Sequence, residues 1–308
     1  MESKAKIAGI YVPLAIPLLD DGSVNEPELR RYVNWLIEQG IDGLFLNGST
    51  GEYIRFTGEE RRQVARLITS EVDGKVQVIA GLGDENAQNC VESCKFYADL
   101  GVRAAALIAP TYFIHRQETI FAYLAEVAKS SPVDVTVYNI PFFANRIGVE
   151  TVKKLVEEFP NVVGIKDSSG DIAHMQRMMD AVLPIRPDFA FITGMETTLF
   201  PMIVAGCNGG IHATAGVVPK LVKTVYEKAN AGDFDAARKA QYRILRIFDP
   251  MMNSLDFPEG FRRGIALRGF DMRRGRIPAG VDEAEKAGKL EAVLNREFKE
   301  LEELGLLG

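Results

Sequence analysis

The feature that most constrains the fold is an eightfold alternation of short apolar runs, rich in β-branched residues, with longer stretches of helical periodicity. Such an alternation is typical of βα units whose strands form a parallel sheet. Eight units within the first 231 residues predict an α/β fold that closes into a (β/α)8 TIM barrel rather than an open sheet. The apolar runs predict strands at residues 7–16, 43–46, 76–80, 104–109, 134–138, 162–165, 189–193 and 210–213.

The stretches between these runs place apolar residues at the 3.6-residue spacing of amphipathic helices. Asn25 is a predicted N-cap with Gly40 as the matching stop, and Thr57 with Glu60 has the spacing of a capping box. Helices are therefore predicted at residues 25–39, 57–71, 86–100, 117–130, 149–158, 171–183, 197–205 and 219–231.

The pattern changes after residue 231, where helical periodicity continues without further apolar runs of strand type. Helices are predicted at 233–247, 259–267 and 282–304. The domain prediction is thus a catalytic barrel over residues 1–231 and a C-terminal helical domain over 232–308. Six arginines fall between residues 261 and 276, and we interpret them as a solvated or subunit-facing surface because neighbouring segments are acidic.

Charge and cysteine content exclude several classes of protein. The chain has 36 basic and 42 acidic residues, a net charge of -6, and no long block of like charge, which argues against nucleic acid as a partner. Cys90, Cys94 and Cys207 are too few for a disulfide framework, and with three scattered histidines they favour packing over metal binding.

The sequence predicts a cytoplasmic protein with no membrane partner. The apolar run over residues 7–19 superficially resembles a signal peptide, but Pro13 and Pro17 interrupt it, and a buried first strand is the better interpretation. No apolar run approaches the roughly 18 residues that a membrane-spanning helix needs.

Lys166 is the most informative candidate residue. Active sites of (β/α)8 barrels lie at the carboxyl ends of the strands, and Lys166 directly follows the run 162–165. Desolvation in a crowded barrel mouth disfavours the ammonium, so a fraction of free amine is expected that can attack a carbonyl. The alternative is a lysine whose stem packs and whose amine pairs with Asp167.

Tyr138 and the segment Gly48-Ser49-Thr50-Gly51 also follow predicted strands. The phenol of Tyr138 could carry protons to and from a carbinolamine and a leaving hydroxyl, with Ser49 and Thr50 as hydrogen-bonding partners. The glycine-flanked amides could hold a carboxylate. Taken singly, the segment could be only a tight turn, and Tyr138 only a core aromatic with a polar tip.

Three motifs occur in order at these strand ends: Gly48-Ser49-Thr50-Gly51-Glu52, Tyr138-Asn139-Ile140-Pro141 and Gly164-Ile165-Lys166-Asp167. With them the chain resembles, over essentially its whole length, the dihydrodipicolinate synthase and N-acetylneuraminate lyase family of class I, pyruvate-dependent aldolases. The resemblance implies that Lys166 forms a Schiff base with pyruvate and that Tyr138 is the proton shuttle. It further implies that Ser49 and Thr50 hold the keto-acid carboxylate, and that Tyr112 reaches into the proton relay of a neighbouring subunit.

The resemblance also bears on cofactors and assembly. A protonated imine is itself an electron sink, so neither a metal nor an organic cofactor is required. A homotetramer built as a dimer of dimers is implied. The predicted catalytic residues are Lys166, Tyr138, Thr50 and Tyr112, and the predicted substrate-binding residues are Gly48, Ser49, Thr50, Phe143, Gly194 and Ile211.

The sequence departs from the pattern of the synthases. They carry an arginine five residues after the shuttle tyrosine, where this chain has Phe143, and a phenyl ring cannot replace a bidentate contact to a carboxylate. Only Arg146, three residues on, could take that role. Gly58 and Arg61 stand where the synthases have the histidines of a lysine-feedback site, so feedback by lysine is not expected.

The sequence also keeps only part of the set with which the sialic acid lyases contact a polyol: it has Met195-Glu196-Thr197 and Ala213. The favoured hypothesis is a pyruvate lyase that acts on a 2-keto-3-deoxy acid of sugar type. The first alternative is a 4-hydroxy-tetrahydrodipicolinate synthase that condenses pyruvate with aspartate semialdehyde. Alternatives of other classes are a non-catalytic pyruvate sensor and a phosphosugar isomerase, and the isomerase lacks an identifiable catalytic carboxylate.

Overall fold

A computed structural model describes residues 6–308. Eight parallel strands follow one another in chain order, β1 to β8, in a closed barrel, and the predicted fold is confirmed. The strands are β1 (Gly9–Pro13), β2 (Gly43–Leu46), β3 (Gln77–Leu82), β4 (Ala104–Ile108), β5 (Val135–Asn139), β6 (Val162–Asp167), β7 (Ala190–Thr193) and β8 (Gly209–Ile211).

A helix follows each strand, and three more end the chain. They are α1 (Glu26–Glu38), α2 (Gly58–Val72), α3 (Ala87–Asp99), α4 (Gln117–Ser130), α5 (Val149–Glu158), α6 (Ile172–Val182), α7 (Leu199–Val204), α8 (Pro219–Asn230), α9 (Phe234–Asn253), α10 (Glu259–Leu267) and α11 (Glu283–Glu303). Within residues 6–308 none of these helices combines the length and apolarity needed to cross a membrane.

The predicted helix caps are present. Asn25 Oδ1 accepts a hydrogen bond from the N–H of Glu28 at 3.3 Å. Thr57 Oγ1 accepts from the N–H of Glu60 at 3.2 Å, while the N–H of Thr57 donates to Glu60 Oε2 at 2.7 Å. Gly40 has a φ of 74°, in the left-handed region typical of the residue after a helix.

Several boundaries differ from those predicted. The first strand covers Gly9–Pro13 rather than 7–16, because its pairing partner β2 is only four residues long. A strand in a barrel extends as far as its neighbours pair with it, whatever the apolarity of its sequence. The end of the predicted eighth strand instead forms a 3-10 turn at Ala213–Gly216, and a second such turn, Glu196–Thr198, precedes α7.

The chain forms two compact units. The first contains Val78–Ile211 with the described residues up to Gly9, and the second contains Ile10–Gln77 and His212–Gly308. In the second unit α9 packs against α8, α10 and α11. The domain boundary near residue 231 stays a prediction.

The three cysteines are free and buried. Cys90 and Cys94 share the buried face of α3, and Cys90 Sγ lies 3.2 Å from the hydroxyl of Tyr123. Burial raises the pKa of Cys90 to about 11, so its thiol stays protonated at neutral pH. This environment agrees with the packing role that the sequence predicts.

The arginine-rich segment is not a uniformly solvated surface, and that interpretation is wrong for Arg262, whose side chain is 1% exposed. Arg274 and Arg276 are also largely covered, and they pair with Glu283 and Glu60, respectively.

Candidate active site

Tyr138 and Lys166, two of the predicted catalytic residues, lie side by side in the first unit. They are directly opposite each other in the parallel pair of β5 and β6. The Nζ atom of Lys166 lies 4.0 Å from the centroid of the Tyr138 ring, and both side chains are at least 95% buried. Lysine amine and phenol are therefore held together out of bulk water.

This pairing depends on an irregularity in the sheet. Val135 pairs with Val162, but the next pair along the two strands is Thr136 with Gly164, so β6 contains one extra residue. Because successive side chains of a strand point to opposite faces, a one-residue change of register would exchange Lys166 for Ile165 opposite Tyr138. The bulge thus sets which side chain faces the phenol.

The next residues along the two strands, Asn139 and Asp167, form a buried hydrogen bond. Asn139 Nδ2 donates to Asp167 Oδ1 at 2.7 Å, and Asn139 Oδ1 accepts from the N–H of Ile147 at 3.0 Å. Asp167 also accepts from the N–H and hydroxyl of Ser169 at 3.1 and 2.9 Å. Burial raises the pKa of Asp167, and these hydrogen bonds oppose that rise.

The sequence places Asn139 and Asp167 in the two motifs and offers Asp167 as a possible partner of the Lys166 amine, but it does not predict the hydrogen bond between Asn139 and Asp167. The signal was present, because each is a polar residue that ends an apolar run directly after a candidate catalytic residue. Successive strand residues face opposite sides, so Asp167 is directed away from the side that carries Lys166. The alternative in which the two residues simply pair is therefore disfavoured.

Gly194 and Ile211 come from the next two strands. The N–H of Gly194, directly after β7, donates to the carbonyl oxygen of Asp167 at 2.7 Å. Ile211 is the last residue of β8 and is 3% exposed. Gly194 is thus fixed beside the end of β6, while Ile211 lies buried at the end of its own strand.

The turn after β2 belongs to the second unit. The N–H of Gly51 donates to the carbonyl oxygen of Gly48 at 3.1 Å, and the N–H of Glu52 donates to that of Ser49 at 3.0 Å. Thr50 is buried and Ser49 half-buried. A Cβ at Gly51 would lie 2.6 Å from a backbone oxygen, so the close turn requires glycine there.

The loops after β4 and β5 are joined by Asn145. Its Nδ2 donates to the carbonyl oxygens of Pro110 and Phe113, each at 2.7 Å, and its Oδ1 accepts from the N–H of His115 at 2.8 Å. These loops expose five large apolar side chains, which we call the loop patch: Tyr112, Phe113, Ile114, Phe142 and Phe143. Tyr112 is 82% exposed and packs edge-on against Phe113, in contrast to the buried Tyr138.

Arg146, which the sequence offers as a replacement for the arginine missing at Phe143, is engaged elsewhere. Its Nη2 atom lies 2.7 Å from Asp171 Oδ2. Asp171 is the N-cap of α6 and also accepts a hydrogen bond from the N–H of His174 at 2.9 Å.

A family model, the dihydrodipicolinate synthetase family, matches residues 6–297. The chain belongs to this family. One similar member is a 4-hydroxy-tetrahydrodipicolinate synthase from Methanopyrus kandleri, which is 31% identical to this chain over 301 residues. The alignment covers 96% of this chain and 97% of the relative. An uncharacterized DapA-like lyase from Pyrococcus furiosus is 28% identical and aligns over 90% of this chain and 93% of its own length.

Among solved structures of the dihydrodipicolinate synthetase family, the chain is similar to YagE from E. coli K12, determined in complex with pyruvate. The TM-score is 0.88 at 28% identity, with 95% of this chain and 99% of YagE covered. Family membership makes this chain an enzyme of the carbon–carbon lyase type.

Proposed function

We propose that this enzyme is a class I aldolase that reversibly cleaves a 2-keto-3-deoxy acid of sugar type into pyruvate and an aldehyde through a Schiff base on Lys166. The observation that carries the proposal is the buried approach of Lys166 Nζ to the ring of Tyr138 at 4.0 Å. A lysine amine is the side chain that forms imines with carbonyl substrates. YagE, a relative over nearly its whole length, was solved with pyruvate bound.

In the proposed reaction the amine of Lys166 attacks the keto carbon and forms a carbinolamine. Tyr138 delivers a proton to the hydroxyl, which leaves as water and gives the protonated imine. The imine accepts the electron pair of the C–C bond one carbon removed, so that bond breaks and yields an aldehyde and an enamine. Tyr138 takes up the proton of the substrate hydroxyl as the aldehyde forms. Protonation of the enamine and hydrolysis of the imine release pyruvate, and no other cofactor takes part.

The carboxylate of the keto acid is assigned to the turn after β2. Ser49 and Thr50 supply hydroxyl donors, and the tight backbone at Gly48 allows close approach of an anion. These roles follow the motif shared with the family.

The preference for an uncharged, sugar-type aldehyde rests on the loop after β5. Phe143 stands where a carboxylate-binding arginine is expected in the synthases, and Arg146 is paired with Asp171 at 2.7 Å. Condensation with aspartate semialdehyde remains the second candidate, because the Methanopyrus kandleri relative carries the name of that synthase.

We also propose a homotetrameric assembly in the cytoplasm. Contiguous exposed apolar surface marks interaction sites, and the loop patch exposes Phe113 by 64% and Ile114 by 99%. A second copy packed on this patch would cover Tyr112, the residue proposed to extend into a neighbouring proton relay. The free, buried cysteines are compatible with a reducing compartment.

Trapping with borohydride tests the proposed function. Pyruvate and borohydride should add one reduced pyruvyl group to the chain, and peptide masses should locate it on Lys166. The matched variant Lys166→Met should show no adduct, and absence of the adduct from the wild-type protein would refute the Schiff base. Product masses from pyruvate and a panel of aldehydes, with aspartate semialdehyde included, would then separate the two candidate substrates.

A further inference from the structure

The second unit contains a buried ionic cluster that the proposed chemistry does not use. Arg262 of α10 is the largest of its fully buried side chains. Its guanidinium donates to the carbonyl oxygens of Ile16 at 2.8 Å, of Arg273 at 3.1 Å and of Met272. Its Nη1 atom also lies 3.4 Å from Glu52 Oε2.

Two carboxylates share this interior. Glu52 and Glu259 are 4% and 3% exposed, and Arg55 also pairs with Glu52. The N–H of Gly275 donates to Glu259 Oε1 at 2.9 Å, and a Cβ at Gly275 would lie 2.5 Å from both Glu52 Oε1 and Glu259 Oε1. The segment around Gly275 therefore closes directly over both carboxylates.

Burial of these charges is costly. It lowers the pKa of Arg262 and raises that of Glu259. A buried ion pair often contributes no more to stability than apolar side chains of the same size, because desolvation opposes the attraction. In some proteins buried ionic groups instead fix one conformation, and here the conformation in question is that of Glu52.

Glu52 ends the glycine-flanked turn. It has a φ of 55°, a left-handed conformation that is unfavourable for a residue with a Cβ, and its N–H donates to the carbonyl oxygen of Ser49. Such strain persists where surrounding contacts impose it. The contacts of Glu52 are to Arg55, next to the turn, and to Arg262, which is itself fixed by three backbone carbonyls.

We propose that Arg262 and Glu52 are positioning residues that hold the turn at Ser49 and Thr50 in the conformation that binds the carboxylate of pyruvate. This inference rests on the proposed function, in which that turn is the carboxylate site. The C-terminal helices thus act on substrate binding through one buried ion pair. Neither residue is assigned contact with the substrate.

Glu52→Gln is the most direct test, because the amide keeps the volume and can still accept a hydrogen bond from Arg262. The concentration of pyruvate that gives half-maximal borohydride trapping should rise roughly tenfold, with the trapped fraction at saturation unchanged. In steady state the KM for pyruvate should rise by a similar factor while kcat falls much less.

Glu283→Gln is the matched control. Glu283 is also buried and pairs with an arginine of the same segment, at 2.7 Å, but that arginine is Arg274 rather than Arg262, which contacts Glu52. It should lower the melting temperature by a comparable amount and leave the pyruvate dependence unchanged. Arg262→Lys keeps the charge but loses the planar fork, and it should raise the KM for pyruvate as Glu52→Gln does.

The outcomes are distinguishable. If wild-type protein gives no adduct on Lys166, the proposed function fails. If wild-type protein gives the adduct and Glu52→Gln shows the same pyruvate dependence with only a lower melting temperature, the positioning role is overturned. Should Arg262→Lys fail to fold, Glu52→Gln against Glu283→Gln still decides the question.

Discussion

Gly194 and Lys166 lie so close together that a methyl group at position 194 would require the lysine side chain to move. A Cβ at Gly194 would lie 2.9 Å from Lys166 Cε and closer still to Ser168 Oγ. Real Cβ atoms do not approach other atoms at that distance. The glycine after β7 therefore leaves the space in which the lysine side chain is placed.

Gly194→Ala should displace Lys166 and lower kcat/KM roughly 100-fold, because errors of about 1 Å in a reacting group have effects of that size. Gly288→Ala is the control, since position 288 in α11 is open and alanine is the better helix former there. The control should gain up to about 1 kcal/mol of unfolding free energy and keep full activity. A Gly194→Ala enzyme with the wild-type rate would show that the lysine is not constrained by this contact.

Tyr138→Phe keeps the aromatic ring that lies 4.0 Å from Lys166 Nζ but removes the hydroxyl. We expect the pyruvate adduct still to form and turnover to fall roughly 100-fold or more, as is usual for loss of a general acid or base. Steady-state kinetics and intact mass after borohydride reduction measure the two effects separately. An unchanged turnover number would remove Tyr138 from the mechanism.

Asn139→Asp would place a second carboxylate beside Asp167, where Asn139 Nδ2 now donates at 2.7 Å. Two buried carboxyl groups at this distance cannot both be ionised, so their pKa values in the folded state should rise. Protonation then favours the folded state. The variant should lose about 3 kcal/mol of unfolding free energy at pH 8 and recover part of it near pH 5.

Asn139→Ala, which also loses the donor to Asp167 but adds no charge, is the control for this experiment. It should be destabilised by about 2 kcal/mol, and its pH dependence should differ from that of the wild-type protein less than that of Asn139→Asp does, because it removes one hydrogen bond to Asp167 but adds no second carboxylate. Urea unfolding at the two pH values measures both variants. Parallel pH dependence of Asn139→Asp and Asn139→Ala would contradict the proposed coupling of Asn139 and Asp167.

Glu60 links the cap of α2 to Arg276. A hydrogen bond from Arg276, at 2.5 Å, is the main cause that lowers the pKa of Glu60 from 4.5 to about 2. A lowered folded-state pKa means that the carboxylate stabilises the fold above pH 4.5 and that this contribution is lost as the pH falls towards 2. The urea-unfolding free energy of Glu60→Gln should therefore fall less steeply than that of the wild-type protein as the pH drops through this interval. Identical acid profiles would be evidence against the pairing.

The loop patch should carry a contact between subunits. Phe113→Glu would place a charge in a desolvated interface, so we expect smaller species in sedimentation equilibrium than for the wild-type protein. Val281→Glu, at a fully exposed apolar position outside the patch, is the control and should leave the mass unchanged. A Phe113→Glu protein of wild-type mass would exclude Phe113 from the interface.

The sequence alone determined the architecture, because the signals for strands and helices are local. Eight apolar runs followed by amphipathic stretches specified the (β/α)8 barrel, and the capping box at Thr57 and Glu60 specified the start of α2. Both signals depend on residues only a few positions apart, where backbone geometry fixes which side chains can meet.

Only the tertiary structure decided how distant residues meet. The bulge that sets Lys166 opposite Tyr138 depends on strand pairing across 28 positions of the chain, and no spacing within either strand reveals it. Similarly, Arg262 belongs to an arginine-rich segment that the sequence predicts to be a solvated or subunit-facing surface. It is buried because carbonyl oxygens and Glu52, remote in sequence, surround it. Register and burial depend on interactions between distant segments, and a local pattern does not contain them.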